Sequence, residues 1–141
     1  MARRIRYRVI AHTADYAFEA RAADFPALVR TCILACSDAM FGLDALHGTE
    51  EVEFAVASED REMAVFQALS EVLYLFETRG LIPCDADVVE SADRGLVVRM
   101  RCDRYDPARH RHRVAFKAAT LHGLRVKAHA RGLSVRVVMD T

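Results

Sequence analysis

At 141 residues the chain has the size of a common single domain, and a domain of this length buries roughly 70% of the surface that its unfolded chain exposes. Lys plus Arg and Asp plus Glu stand at 20 each, with 52% of residues apolar. This excludes a charged disordered tail and a generally basic nucleic-acid coat, so any contact with nucleic acid is expected to be local or through a partner.

No apolar run follows Arg3, Arg4, Arg6 and Arg8 that would form a signal-peptide core or cross a bilayer, and a cytoplasmic location without membrane attachment is expected. The first strand is written as alternation, with Ile5, Tyr7, Val9 and Ala11 facing one way and Arg4, Arg6 and Arg8 the other. After a bend at His12-Thr13-Ala14-Asp15, the alternation resumes in Tyr16, Phe18 and Ala20. From Asp24 the period becomes helical, and Phe25, Leu28, Cys32, Cys36 and Met40 form one apolar stripe. Asp24 is expected to cap this helix and Gly42 to stop it. Cys32 and Cys36 are read as small buried side chains, since no cysteine pair has the spacing of a redox or zinc site.

Val52, Phe54 and Val56 spell a further strand, and Ser58, Glu59, Asp60 and Glu62 open a second helix that Gly80 ends. Beyond Pro83 the pattern is again extended, through Val88 and Val89, the turn Asp93-Arg94-Gly95, and then Leu96, Val98, Met100 and Cys102. Val114, Phe116 and Ala118, then Leu124, Val126 and Ala128, then Leu133, Val135, Val137 and Met139 are expected to be buried in three strands. Short connections at residues 121–123 and 130–132 imply antiparallel hairpins. The order excludes a regular βαβ winding. The expected fold is a single α+β domain over 1–141, mostly antiparallel β-sheet packed by two α-helices.

By parity Asp140 shares a face with Ser134, Arg136 and Val138, away from the main core, and Lys117 likewise points outward. Together with Asp15 in its bend, they are candidates for one surface site. Two carboxylates suit a hard cation, and the terminal carboxylate of Thr141 would add an oxygen. A protonated lysine cannot ligate a metal, but it balances carboxylates or holds a phosphate. Each residue also has a plain structural reading: a turn aspartate capping its own backbone, a solvated terminal acid, a lysine keeping an edge soluble. His12 is a second candidate acid, base or ligand. The segment 101–113, with five arginines and two histidines around Tyr105-Asp106-Pro107, is read either as a positive loop for RNA phosphate or an acidic partner, or as an exposed turn with solvated charges. No nucleotide-binding loop, nucleophile elbow or HExxH helix occurs.

Five blocks in order resemble the archease family. They are His12-Thr13-Ala14-Asp15, the helix from Leu69 through Leu81, Tyr105-Asp106-Pro107-Ala108-Arg109-His110, Phe116-Lys117-Ala118-Ala119-Thr120-Leu121-His122-Gly123-Leu124, and Val137-Val138-Met139-Asp140. The resemblance implies a compact α+β domain that binds a divalent cation, usually Ca²⁺ with Mg²⁺ or Mn²⁺ as alternatives. It also implies an accessory factor rather than an enzyme, one that promotes guanylylation of a GTP-dependent RtcB-type RNA ligase in tRNA splicing or RNA repair and meets RNA through that ligase. The family's functional aspartate, lysine and penultimate aspartate correspond to Asp15, Lys117 and Asp140. A free-standing metal-dependent phosphohydrolase and a non-catalytic RNA-binding or chaperone-like module are the alternatives.

Overall fold

Two antiparallel sheets and two helices make up the computed structural model, which describes residues 5–12 and 15–141. In chain order the elements are β1 (Arg6–His12), β2 (Tyr16–Ala22), α1 (Phe25–Phe41), a 3₁₀ turn (Leu43–Ala45), β3 (Glu50–Val56), α2 (Arg61–Arg79), β4 (Leu81–Ser91), β5 (Gly95–Arg104), β6 (Ala118–Ala119), β7 (Arg125–His129) and β8 (Gly132–Asp140). One sheet runs β1-β2-β8, with β6 and β7 both pairing with β8, and the other runs β3-β5-β4. The α1 helix packs on β2 and on β4 and so ties the two sheets together.

The helices begin and end where their side chains allow. Asp24 accepts from the Ala27 amide at 2.9 Å and Asp60 from the Met63 amide at 3.1 Å, each satisfying a first-turn N–H and contributing about 1 kcal/mol. Gly80 closes α2 with φ 65°, a left-handed conformation that glycine enters without penalty. Between the layers, Phe18, Leu28, Ile33, Leu34, Phe41, Leu69, Met100 and Met139 are all but inaccessible to solvent. Cys32 and Cys36 belong to this core, as their helical spacing requires.

Several expectations are corrected. The β4 strand starts directly after Gly80 and contains Pro83, which an edge strand tolerates because its outer N–H is not needed by a neighbour; the register shifts between Pro83 and Asp85. Arg30 of α1 protects that edge, reaching the Ala86 carbonyl at 3.1 Å and Asp85 Oδ1 at 2.8 Å. Residues 111–117 form no strand, although their apolar residues alternate. Ala118 and Ala128 are exposed rather than buried. The turn at 121–123 joins β6 to β7 without pairing them, because both lie along β8 at successive stretches. The turn at 130–131 does close a hairpin, β7 to β8. Ser134 keeps its outward parity but is buried, with His129 Nε2 from that hairpin 2.6 Å from its hydroxyl.

Candidate functional site

The five-stranded sheet brings distant parts of the chain to one corner. Tyr16 opens β2 opposite Met139 of β8, and Asp15 and Asp140 are the residues that adjoin this last pair, Asp15 in the bend before β2. On the other side of β8, the Lys117 amide donates to the Asp140 carbonyl at 2.7 Å and Ala118 lies opposite Asp140. The Thr120 amide donates to Val138 O at 3.1 Å. Three steps from Lys117 to Thr120 thus match two from Val138 to Asp140, an extra residue of the kind that makes a β-bulge. This breaks the alternation read from the sequence and explains why Ala118 faces water while Ala119 is buried.

Asp15, Lys117 and Asp140 are all exposed, and Thr141 is partly so. Asp140 and Lys117 are joined through the backbone, and Asp15 precedes Tyr16, which is paired with Met139. Among the described residues, no ion pair links the three side chains, and no group of three or more His, Cys, Asp or Glu side chains is arranged to hold a metal ion. His12 ends β1, opposite Tyr16. Thr13 and Ala14 lie outside the described residues.

A contact that alternation alone did not reveal joins the corner. The ring of Tyr16, next to Asp15, meets the ring of Phe116, next to Lys117, with centroids 5.1 Å apart and planes at 69°. Such an edge-to-face pair contributes about 1 kcal/mol beyond its buried area. The only sequence signal for it is that both aromatics are immediate neighbours of candidate site residues.

The arginine-rich segment is largely engaged within the fold. Arg101 meets Asp85 at 3.7 Å, Arg104 meets Glu50 at 2.8 Å, and Arg109 meets Asp103 at 3.0 Å. The Arg113 guanidinium lies against Gly42, where an added Cβ would come within 3.0 Å of it. Asp103, only 4% exposed, also accepts from the His47 amide at 2.9 Å and faces His110 Nε2 at 3.0 Å. Burial alone would raise the Asp103 carboxyl, but hydrogen bonds from Arg109, the His47 amide and His110 outweigh it and lower the pKa to about 2. His110 Nδ1 accepts from the Asp106 amide at 2.9 Å, which assigns the ring proton to Nε2, toward Asp103. With both nitrogens occupied, His110 serves as a latch and not as a free base.

A two-sheet, two-helix α+β domain of this topology is shared with solved structures. Protein 1598 of Methanobacterium thermoautotrophicum superposes with a TM-score of 0.76 at 23% identity, covering 96% of this chain and 98% of that one. A Thermotoga maritima structure, described as an archease and possible chaperone, gives 0.70 at 24% identity, with 94% of each chain covered. In sequence, residues 7–141 match the model of the Archease protein family (MTH1598/TM1083). A protein archease of Archaeoglobus fulgidus is 32% identical over 138 residues, 96% of this chain and 99% of that relative. One from Methanopyrus kandleri is 33% identical over 121 residues, 84% and 86% of the two chains. The chain belongs to the archease family. Among the described residues, no helix is long and apolar enough to cross a membrane.

Proposed function

We propose that this chain is an accessory protein of an RtcB-type RNA ligase and that it acts through the corner holding Asp15, Lys117 and Asp140. Family membership supports the reading, and the observation that carries it is the junction at β8, where the Lys117 amide is bonded to the Asp140 carbonyl and Tyr16, the residue after Asp15, is paired with Met139. The likeness to a protein described as a possible chaperone agrees with work on a partner protein.

The donor set fits a hard divalent cation held in part by the protein. Two exposed aspartates offer oxygen ligands, and Mg²⁺ in particular is commonly bound by one or two carboxylates plus substrate phosphates. Asp15 and Asp140, with Thr141 beside them, would hold the ion; Ca²⁺ leads, with Mg²⁺ and Mn²⁺ as alternatives. Bound there, the cation would neutralise charge on a nucleotide triphosphate. Lys117 supplies a further positive charge that balances the carboxylates or grips a phosphate oxygen. Lys117 is exposed at the start of the bulged backbone 117–120, and Phe116 holds that segment against Tyr16. Exposure of all three side chains suits a site completed by a docked partner.

The test follows formation of the ligase–GMP adduct with labelled GTP, using a cognate ligase with and without this protein across a range of divalent cations. Faster adduct formation with the protein present is expected, and equal rates throughout would reject the proposal.

A further inference from the structure

The net charge of zero conceals two unlike sheet faces. In an antiparallel pair, residues opposite one another share a face. The outer face of the five-stranded sheet therefore carries two rows across its strands. One is Arg8–Glu19–Arg136–Arg125, and the other Arg6–Arg21–Ser134–Lys127. The six cations are all exposed, and Glu19 is the one carboxylate in these rows. Glu19 is already engaged, by Arg8 at 3.2 Å and Arg21 at 3.5 Å. Among the described residues, no ion pair engages Arg6, Arg125, Lys127 or Arg136.

Glu19 lies between Arg8 and Arg136, but two other oppositions in these rows work against folding. Arg6 stands directly opposite Arg21, and Arg125 opposite Arg136. Like charges at such positions destabilise a sheet. The three-stranded sheet of the same chain avoids this: Arg99 lies between Glu53 and Asp87, and Arg101 between Glu51 and Asp85. One sheet is balanced by cross-strand ion pairs, whereas the other keeps two like-charge oppositions and sets six cations against one carboxylate in these rows.

We propose that the outer face of the β1-β2-β8-β7 sheet binds the phosphate backbone of RNA. Five of its six cations are arginines, whose planar forks match phosphate oxygens two at a time. The rows contain no large apolar side chain of the kind that anchors a protein interface, and the exposed large hydrophobics Val9, Tyr74, Val89 and Leu121 all lie off them. They contain no aromatic ring on which a base would stack, so the contact is electrostatic and indifferent to sequence. Arg136 shares strand and parity with Asp140, about 13 Å along β8 at the usual strand rise. RNA on this face thus passes beside the candidate corner, but its binding does not depend on any activity there.

Fluorescence anisotropy with the full chain, a labelled unstructured RNA and an RNA hairpin of unrelated sequence tests this. Both probes are expected to bind with similar affinity, which falls steeply with salt. Arg125→Glu and Arg136→Gln are each expected to weaken binding at least about tenfold, and the neutral substitution to reduce the salt slope by about 0.7 to 0.9. Arg125→Glu turns a like-charge opposition into an opposite-charge one, so its melting temperature should hold or rise, which separates lost binding from lost folding. Arg99→Gln on the other sheet should leave RNA affinity unchanged. RNA affinity retained in both face variants would overturn the proposal. So would equal or tighter binding of polyglutamate or of phosphatidylserine vesicles, which would assign the face to an acidic protein or a membrane surface.

Discussion

Tyr16 and Phe116 pack edge to face with ring centroids 5.1 Å apart, and they couple the two backbone segments that carry Asp15 and Lys117. Phe116→Ala removes that coupling while leaving every charged residue of the corner in place. Under the proposed ligase reading, activation is expected to drop roughly tenfold, since a misplacement of about 1 Å can carry a loss of about a hundredfold and the loss of one ring contact shifts the segment less. Phe116 is only partly buried, so the stability loss should stay near 1–3 kcal/mol. Activation assays with Phe116→Leu, expected to be intermediate, alongside thermal melts check that positioning rather than global unfolding is responsible.

The Asp103–His110 latch predicts a signature in acid. The Asp103 carboxyl lies at about 2 in the fold against its ordinary 3.8, so the folded state binds protons less readily. Its contribution to stability is fully present above 3.8 and is lost as pH falls through about 2. Denaturant titrations across this window should show stability declining toward the lower end, and Asp103→Asn should flatten that decline. His110→Ala, which removes one hydrogen bond from a buried carboxylate that keeps Arg109 and the His47 amide, should cost about 1–3 kcal/mol at neutral pH.

Gly48 passes so close to β5 that an added Cβ would lie 2.0 Å from the Cys102 carbonyl oxygen and 2.3 Å from the Asp103 nitrogen. Backbone atoms cannot yield as a flexible side chain does. Gly48→Ala should therefore cost about 3 kcal/mol, near the upper end of ordinary overpacking. It should also loosen the His47 amide from Asp103, which a faster hydrogen exchange at His47 would report.

All the cysteines are free and buried. Burial pushes the Cys36 and Cys102 thiols up to about 12 and the Cys32 thiol higher still, so thiolate is scarce at neutral pH. A thiol-reactive dye should label none of them in the native protein and all 4 after denaturation. Rapid native labelling would show that the core around α1 and β5 opens readily.

How far the sequence reached follows from the range of each signal. Local patterns were legible: the alternation of Leu96, Val98, Met100 and Cys102 is β5, and Asp24 caps α1 as its position before the apolar stripe requires. Residues 111–117 misled because alternation records which side chains turn inward, not whether a partner strand exists. Here the segment is fixed by isolated bonds, the Arg113 amide to Met40 O and the Lys117 amide to Asp140 O, each 2.7 Å. The corner was legible only as residue types. The segments that carry Lys117 and Asp140, and the strand that follows Asp15, are brought together by the order β2-β8-β6, in which neighbours in space are remote in the chain. The like-charge opposition of Arg125 and Arg136 was equally hidden, since it exists only once the β7–β8 register is set.

The most direct test of the ligase reading compares ligase–GMP formation promoted by the wild-type chain with that promoted by Asp15→Asn, Lys117→Met and Asp140→Asn at matched concentrations. The account predicts that each variant melts within a few degrees of the wild type, as expected for exposed positions, yet loses most of its stimulation of the ligase. Full stimulation by all three variants would contradict it.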